Sequence, residues 1–212
     1  MDAGERPAAT TGLCAADVAA LEECAAAGGV AIVPTDTVYG LMCDPCSSAA
    51  VERLHEIKGR PPWKPSAVMF FSLEAALAAL PELGERERHA MRSLLPGPVT
   101  VLLENRRARY PLASGAALGL RVPALDGTLS VLAATRSPLM QSSANLSGQT
   151  EARRLAEIPR AVRDAADLVL DGGELAGLAS TVLDLRALED EGRWEVLRAG
   201  PLSAAEIARR LG

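Results

Sequence analysis

Two hydroxyls, a carboxylate and a phenol fall within five residues of the segment Pro34-Thr35-Asp36-Thr37-Val38-Tyr39-Gly40-Leu41. An apolar run, Val30-Ala31-Ile32-Val33, precedes them and reads as a buried strand. Pro34 cannot donate to a sheet ladder, and Gly40 permits a tight backbone. Side chains at such a strand end project into the crevice where α/β sheets bind ligands. The competing reading is a polar turn that caps the next helix.

Three cations crowd a second segment, Lys58-Gly59-Arg60-Pro61-Pro62-Trp63-Lys64. Lys58 and Arg60 sit where a helix should end, and basic charge there is favourable by a few tenths of a kcal/mol. Three fixed positive charges also suit a triphosphate, with the Arg fork holding two oxygens at once. A third segment, Ser142-Ser143-Ala144-Asn145-Leu146-Ser147-Gly148, is dense in small hydroxyl and amide side chains. It is either a loop of Asx and Ser turns or a set of donors converging on phosphate or carboxylate oxygens. Arg121 ends an apolar strand just before Pro123, where a lone Arg is usually solvated or ion-paired.

Cys43-Asp44-Pro45-Cys46 is a Cys-x-x-Cys among four cysteines. A structural zinc site needs four ligands, and the chain has no second such pair. His55 and His89 are isolated in sequence. Half-buried thiols beside a loop are the expectation, and no metal site is expected.

The elements that must position these groups follow from periodicity and punctuation. Helices are expected over Ala15 to Ala27, Ser47 to Ile57, Leu73 to Leu80 behind Ser72, Glu85 to Leu95, and Leu129 to Thr135. Leu155 to Ala166 reads as a helix broken or kinked near Pro159, and Ser203-Ala204-Ala205-Glu206 as a capping box opening the last helix. Strands are expected at Val30 to Val33, Val68 to Phe71, Val99 to Leu103, Leu118 to Val122, Leu139 to Gln141, Leu168 to Leu170, Thr181 to Leu185 and Trp194 to Leu197. Some successive strands leave no room for a crossover helix, which favours a mixed sheet.

At 212 residues the chain can bury one good core, and with aromatics at 3% that core must be Ala, Val and Leu. Residues 1–12 are polar and read as a mobile tail, leaving 13–212 as a single domain. No apolar run is long enough to span a membrane, and the first residues do not read as a signal peptide, so a cytoplasmic protein is expected. A net charge of −5 argues against a surface built to grip nucleic acid, though not against a local basic cleft.

The octapeptide at Pro34 resembles the signature loop of the YrdC family, the threonylcarbamoyl-AMP synthases. Other blocks resemble the family in the same order: Lys58-Gly59-Arg60-Pro61, Pro96-Gly97-Pro98-Val99-Thr100, Leu120-Arg121-Val122-Pro123, Ser143-Ala144-Asn145-Leu146-Ser147-Gly148, Ser180-Thr181-Val182 and Leu197-Arg198-Ala199-Gly200. The resemblance implies an α/β (α+β) fold, a twisted mixed sheet flanked by helices with a concave cleft. It implies a functional tetrad of Lys58, Arg60, Ser143 and Asn145. ATP would meet these four together with Lys64 and Arg198, and L-threonine would meet Thr35, Thr37, Arg121, Gln141 and Ser180, with Met69 nearby.

The implied reaction joins L-threonine, bicarbonate and ATP into threonylcarbamoyl-AMP and pyrophosphate, with Mg²⁺ carried in by ATP. The implied product serves transfer RNA modification through a separate transferase machinery, with at most a weak contact to transfer RNA itself. A carbamoyl-adenylate-forming carbamoyltransferase domain and a non-enzymatic RNA-binding module are the alternatives. The chain departs from the family at Ser66, where Leu is usual, and at Ser142, where Pro is usual. It also departs at residues 149–153, where a Pro/Ser/Thr-rich run often touches phosphates.

Overall fold

The computed structural model describes residues 12–61, 66–113 and 115–212. The expected tail, except Gly12, and the candidate phosphate ligand Lys64 lie outside the described residues. The chain runs α1 (Ala15–Ala26), β1 (Ala31–Val33), β2 (Gly40–Cys43), α2 (Ser48–Lys58), β3 (Ala67–Met69), α3 (Leu73–Ala79) and α4 (Glu85–Leu94). It continues through β4 (Val99–Glu104), β5 (Ala117–Arg121), a 3₁₀ segment at Gly127–Ala134, β6 (Leu139–Ser143) and a 3₁₀ turn at Leu155–Glu157. Then come α5 (Arg160–Ala165), β7 (Leu168–Val169), β8 (Thr181–Asp184), α6 (Leu188–Glu191), β9 (Glu195–Arg198) and α7 (Ala204–Leu211).

The strands form one nine-stranded sheet in the order β7-β1-β2-β6-β3-β5-β4-β8-β9. The pairs β1–β7, β3–β5 and β4–β8 are parallel and the rest antiparallel, so the sheet is mixed as expected.

Side-chain alternation divides the sheet into two faces. Ile32, Leu41, Val68, Val101, Leu118, Leu120 and Leu183 point to one face, where helices α2, α4 and α7 cover them in the larger core. Ala31, Val33, Met42, Met69 and Leu139 point to the other, where α1 contributes Val18 and Leu21 to a smaller core. Each buried Val or Leu contributes about 1.5–3 kcal/mol by leaving water. The smaller core covers only one part of the second face. Over β3, β5, β4 and β8 that face carries Ala67, Gly119, Leu102, Thr100 and Val182, and there it borders a cleft.

The structure corrects several expectations. No strand is expected between Val33 and Val68, yet β2 lies there, paired between β1 and β6 with all four of its residues buried. Gly40 pairs with Val33, so the polar segment is the connection of an antiparallel pair. Of the two readings at Pro159 the chain takes the break: a 3₁₀ turn and a separate short α5 stand where one helix was the other possibility. The expected helix from Leu129 is 3₁₀ up to Ala134, and Thr135 caps it in an extended conformation. The capping box at Ser203 is half made: Ser203 Oγ accepts from Glu206 N at 3.2 Å. The Glu206 carboxylate turns to Arg209 and Arg210 instead of back to the Ser203 amide.

Candidate active site

The open part of the second sheet face is the floor of a cleft of about 310 Å³. Arg60, Thr100, Arg121, Ser143, Ser180 and Arg198 line it, each from a different part of the chain. Its floor is kept low by small residues. A Cβ on Gly119 would come within 3.3 Å of the Ala67 Cα.

The end of α2 sorts the two cations of the Lys-x-Arg pair. Gly59 takes a left-handed conformation, φ 57°, which reverses the chain as a helix C-cap does. The Arg60 amide then donates to His55 O at 2.9 Å. Arg60 faces the cleft, whereas Lys58 is buried under it. The Lys58 ammonium lies 2.8 Å from Asn145 O, 3.1 Å from Asn145 Oδ1 and 3.5 Å from Ser143 Oγ. It also donates to Ser143 O. The Ser143 hydroxyl donates to Asn145 Oδ1 at 2.6 Å, and the Ser147 amide to Lys58 O at 2.9 Å.

A buried charge must be matched by such oxygens. Lys58 therefore clamps the Ser143–Ser147 loop. The expected tetrad does come together, but only Arg60 and Ser143 line the cleft; Lys58 and Asn145 shape the loop behind them. Burial lowers the pKa of Arg60 from its ordinary value, and burial with the nearby Arg60 charge lowers that of His55.

Arg121 closes β5 and is 2% exposed. Its guanidinium donates to Asp36 Oδ1 and, at 2.6 Å, to Thr37 Oγ1. Asp36 Oδ2 accepts from the Ala124 amide at 3.0 Å. Arg121 Nε is buried with no acceptor among the described residues. Burial raises the Asp36 carboxyl above the usual range against the pull of Arg121, and burial likewise lowers Arg121.

Thr35 is turned inward: its hydroxyl donates to Val38 O at 2.7 Å and meets Thr37 Oγ1 at 3.1 Å. It organises the octapeptide and does not line the cleft, and neither does the buried Met69. Gln141 does line it, in the space that Gly40 leaves. A Cβ on Gly40 would stand 3.2 Å from Gln141 Nε2.

The far wall joins three segments. Ser180 Oγ lies 2.8 Å from Thr100 Oγ1. Arg198 donates to Ser180 O at 2.8 Å and to Ser180 Oγ at 3.3 Å. The Arg-Ala-Gly block can approach this closely because Gly200 has no side chain: a Cβ there would lie 2.4 Å from Thr181 N and 2.6 Å from Ala179 O. The turn before β4 is fixed by Gly97 N on Val122 O and by Thr181 N on Pro98 O, both at 3.0 Å. It delivers Thr100 to the cleft.

Sequence reasoning gave no role to Thr100, Asp36 or Glu151, although the first two sit inside quoted motifs. Thr100 ends the Pro-Gly-Pro-Val-Thr block, and a polar residue amid Val99, Val101 and Leu103 is itself a signal. Asp36 was visible only as part of the octapeptide. Glu151 lines the cleft within the segment that departs from the family pattern.

Cys43 is buried in β2 and Cys46 is exposed. Burial pushes the Cys43 thiol up to about 12 and raises Cys46 as well, with Asp44 adding to both. Among the described residues no group of three or more His, Cys, Asp and Glu side chains converges. No helix of the described residues is long and apolar enough to cross a membrane.

Comparison with known proteins gives a consistent set of relatives. A family model named for Sua5, YciO and YrdC, with the description "Telomere recombination", matches residues 23–200. The threonylcarbamoyl-AMP synthase of Pyrococcus abyssi is 29% identical over 190 residues, 87% of this chain and 54% of that protein. The Mus musculus protein of the same name is 34% identical over 185 residues, 82% of this chain and 63% of that one. That of Xanthomonas campestris pv. campestris is 36% identical over 158 residues, 73% of this chain and 84% of its own. The chain thus spans little more than half the length of the first two.

Among solved structures, P. abyssi Sua5 complexed with L-threonine superposes with a TM-score of 0.82 at 27% identity, covering 94% of this chain and 58% of that one. E. coli YciO gives a TM-score of 0.74 at 25% identity, covering 89% and 91%.

Proposed function

The chain belongs to the Sua5/YciO/YrdC family, and on that premise we propose that it is an L-threonylcarbamoyladenylate synthase. Residues 13–212 would act as one catalytic unit. The amine of L-threonine takes up carbon dioxide from bicarbonate to give a carbamate. A carbamate oxygen attacks the α-phosphorus of ATP, the bond to the bridging oxygen breaks, and pyrophosphate leaves. Catalysis consists of positioning and charge neutralisation. Mg²⁺ enters as part of the ATP substrate.

The observation that carries the reading is Arg121. It is a buried guanidinium at the end of a strand, bordering a cleft that also holds Arg60 and Arg198. A planar fork in a water-poor wall suits a carboxylate, and a relative of similar fold has been solved with L-threonine. Gln141 and Ser180 stand beside it for the rest of the amino acid, while Thr37 and Asp36 hold the guanidinium in place. Arg60 and Ser143 would meet the phosphates. Lys58 and Asn145 support them from behind, and Arg198 closes the opposite wall. Lys64 remains a candidate phosphate ligand on sequence alone.

The product is a mixed anhydride and reactive, so a separate transferase that delivers it to transfer RNA is the expected consumer. An ATP-fed reaction of this kind belongs in the cytoplasm.

Arg121→Ala tests the assignment. Loss of a charge-assisted contact costs roughly 1.5–3 kcal/mol, so the KM for threonine should rise roughly 10- to 150-fold while that for ATP changes little. Equal changes for both substrates would make Arg121 a structural residue and remove the main support for threonine as substrate.

A further inference from the structure

Glu151 is the acidic side chain among the described residues that line the cleft. It shares the cleft with Arg60, Ser143, Arg121 and Arg198, and no hydrogen bond or ion pair joins its carboxylate to another described residue. The arginines that follow it are engaged elsewhere. Arg153 lies 3.3 Å from Glu174 Oε1, and Arg154 lies 2.5 Å from Glu174 Oε2, both pairs being solvent-exposed.

The segment is also held firmly. The Tyr39 amide donates to Ala152 O at 3.0 Å, and the Asn145 side-chain amide donates to Gln149 O. Glu151 therefore stands between two backbone anchors, one from the octapeptide and one from the Ser143–Asn145 loop. A half-buried carboxylate fixed in this way is a strange neighbour for a polyphosphate. Bare phosphate oxygens would be repelled by it, at a distance too short for solvent to screen well.

We propose that Glu151 selects the metal-bound form of the nucleotide, by accepting the divalent cation on the phosphates directly or through its water. Rested on the ATP-dependent reading above, this assigns a specificity role to a residue that the reading leaves unused. Mg²⁺ is commonly held by one or two carboxylates plus substrate phosphates, retaining several waters. One carboxylate that no described residue pairs with is suited to that arrangement. It offers a ligand to the metal and repels the metal-free polyanion, so both effects act in the same direction. The three arginines alone would favour the more negative, metal-free ATP.

The test is equilibrium binding of ATP by calorimetry, with Mg²⁺ and with EDTA, for the wild type, Glu151→Gln and Glu174→Gln. Thermal melting confirms that all three are folded. In the wild type Mg²⁺ should tighten ATP binding. In Glu151→Gln that gain should shrink about tenfold, within the usual range of coupling between two ligands, because Mg-ATP binds less tightly and metal-free ATP more tightly. Glu174→Gln, on the outer side of the segment, should behave as the wild type. A gain from Mg²⁺ that is the same within twofold in wild type and Glu151→Gln overturns this proposal and leaves the ATP reading standing. Failure of the folded wild type to bind ATP in either condition overturns both.

Discussion

Replacing Asp36 by Asn should strand Arg121 and cost about 3 kcal/mol of stability. Arg121 is 2% exposed, and its ion-pair partner Asp36 has a side chain 8% exposed. Both Asp36 oxygens accept hydrogen bonds, one from Arg121 and one from the Ala124 amide. Asn offers a single oxygen, so its amide group must face one of those donors. Removing one member of a buried pair costs roughly 3–5 kcal/mol. Asn keeps one acceptor, which argues for the low end.

For a chain of this size the melting temperature should then fall by about 6–12 °C, read by calorimetry or circular dichroism. The intact pair is not itself a large source of stability, since burial drives both groups toward their neutral forms. Removing both charges in Asp36→Asn/Arg121→Met should therefore recover at least half of the loss while raising the threonine KM as Arg121→Ala does. If Asp36→Asn melts within 2 °C of the wild type, or if the double variant is less stable than the single one, the pair is not a desolvated, mutually dependent unit. The reasoning that Asp36 holds Arg121 in place would then fail.

Gly200→Ala places a methyl group 2.4 Å from Thr181 N and 2.6 Å from Ala179 O. Those are backbone atoms that cannot rotate away, so a loss of about 1–3 kcal/mol and weaker binding of both substrates are expected from melting and KM measurements. Cys43 should resist alkylation by iodoacetamide at neutral pH while the exposed Cys14 and Cys46 react, as peptide mass mapping would show. Its thiol is buried and pushed up to about 12, and labelling of Cys43 at the rate of Cys46 would contradict that placement.

The sheet was legible where Val and Leu dominate a strand. Val99 to Leu103, Leu118 to Val122 and Thr181 to Leu185 each lie within two residues of the observed strands β4, β5 and β8. It was not legible at β2, because Gly40 has low strand propensity, the strand is only four residues long and its burial comes from its neighbours β1 and β6. The 3₁₀ segments were missed for a related reason: apolar runs such as Leu129 to Ala133 carry no signal that separates three residues per turn from 3.6.

Within the site, the resemblance names several residues that the fold brings around one cleft, but not which of them line it and which stand behind. Which member of Lys58 and Arg60 reaches the cleft depends on the left-handed turn at Gly59, and the sequence shows only that a glycine is there. The Asp36–Arg121 pair joins residues 85 positions apart. Neither local charge pattern nor spacing could have found it.

The central claim is that one cleft joins threonine, bicarbonate and ATP. The most direct measurement is pyrophosphate release by the purified protein with each of the three omitted in turn, beside the complete mixture and one with carbamoyl phosphate replacing threonine and bicarbonate. Release that requires all three, with threonylcarbamoyl-AMP detected by mass spectrometry, is the predicted result. Release that proceeds without threonine, or that responds to carbamoyl phosphate instead, would contradict it.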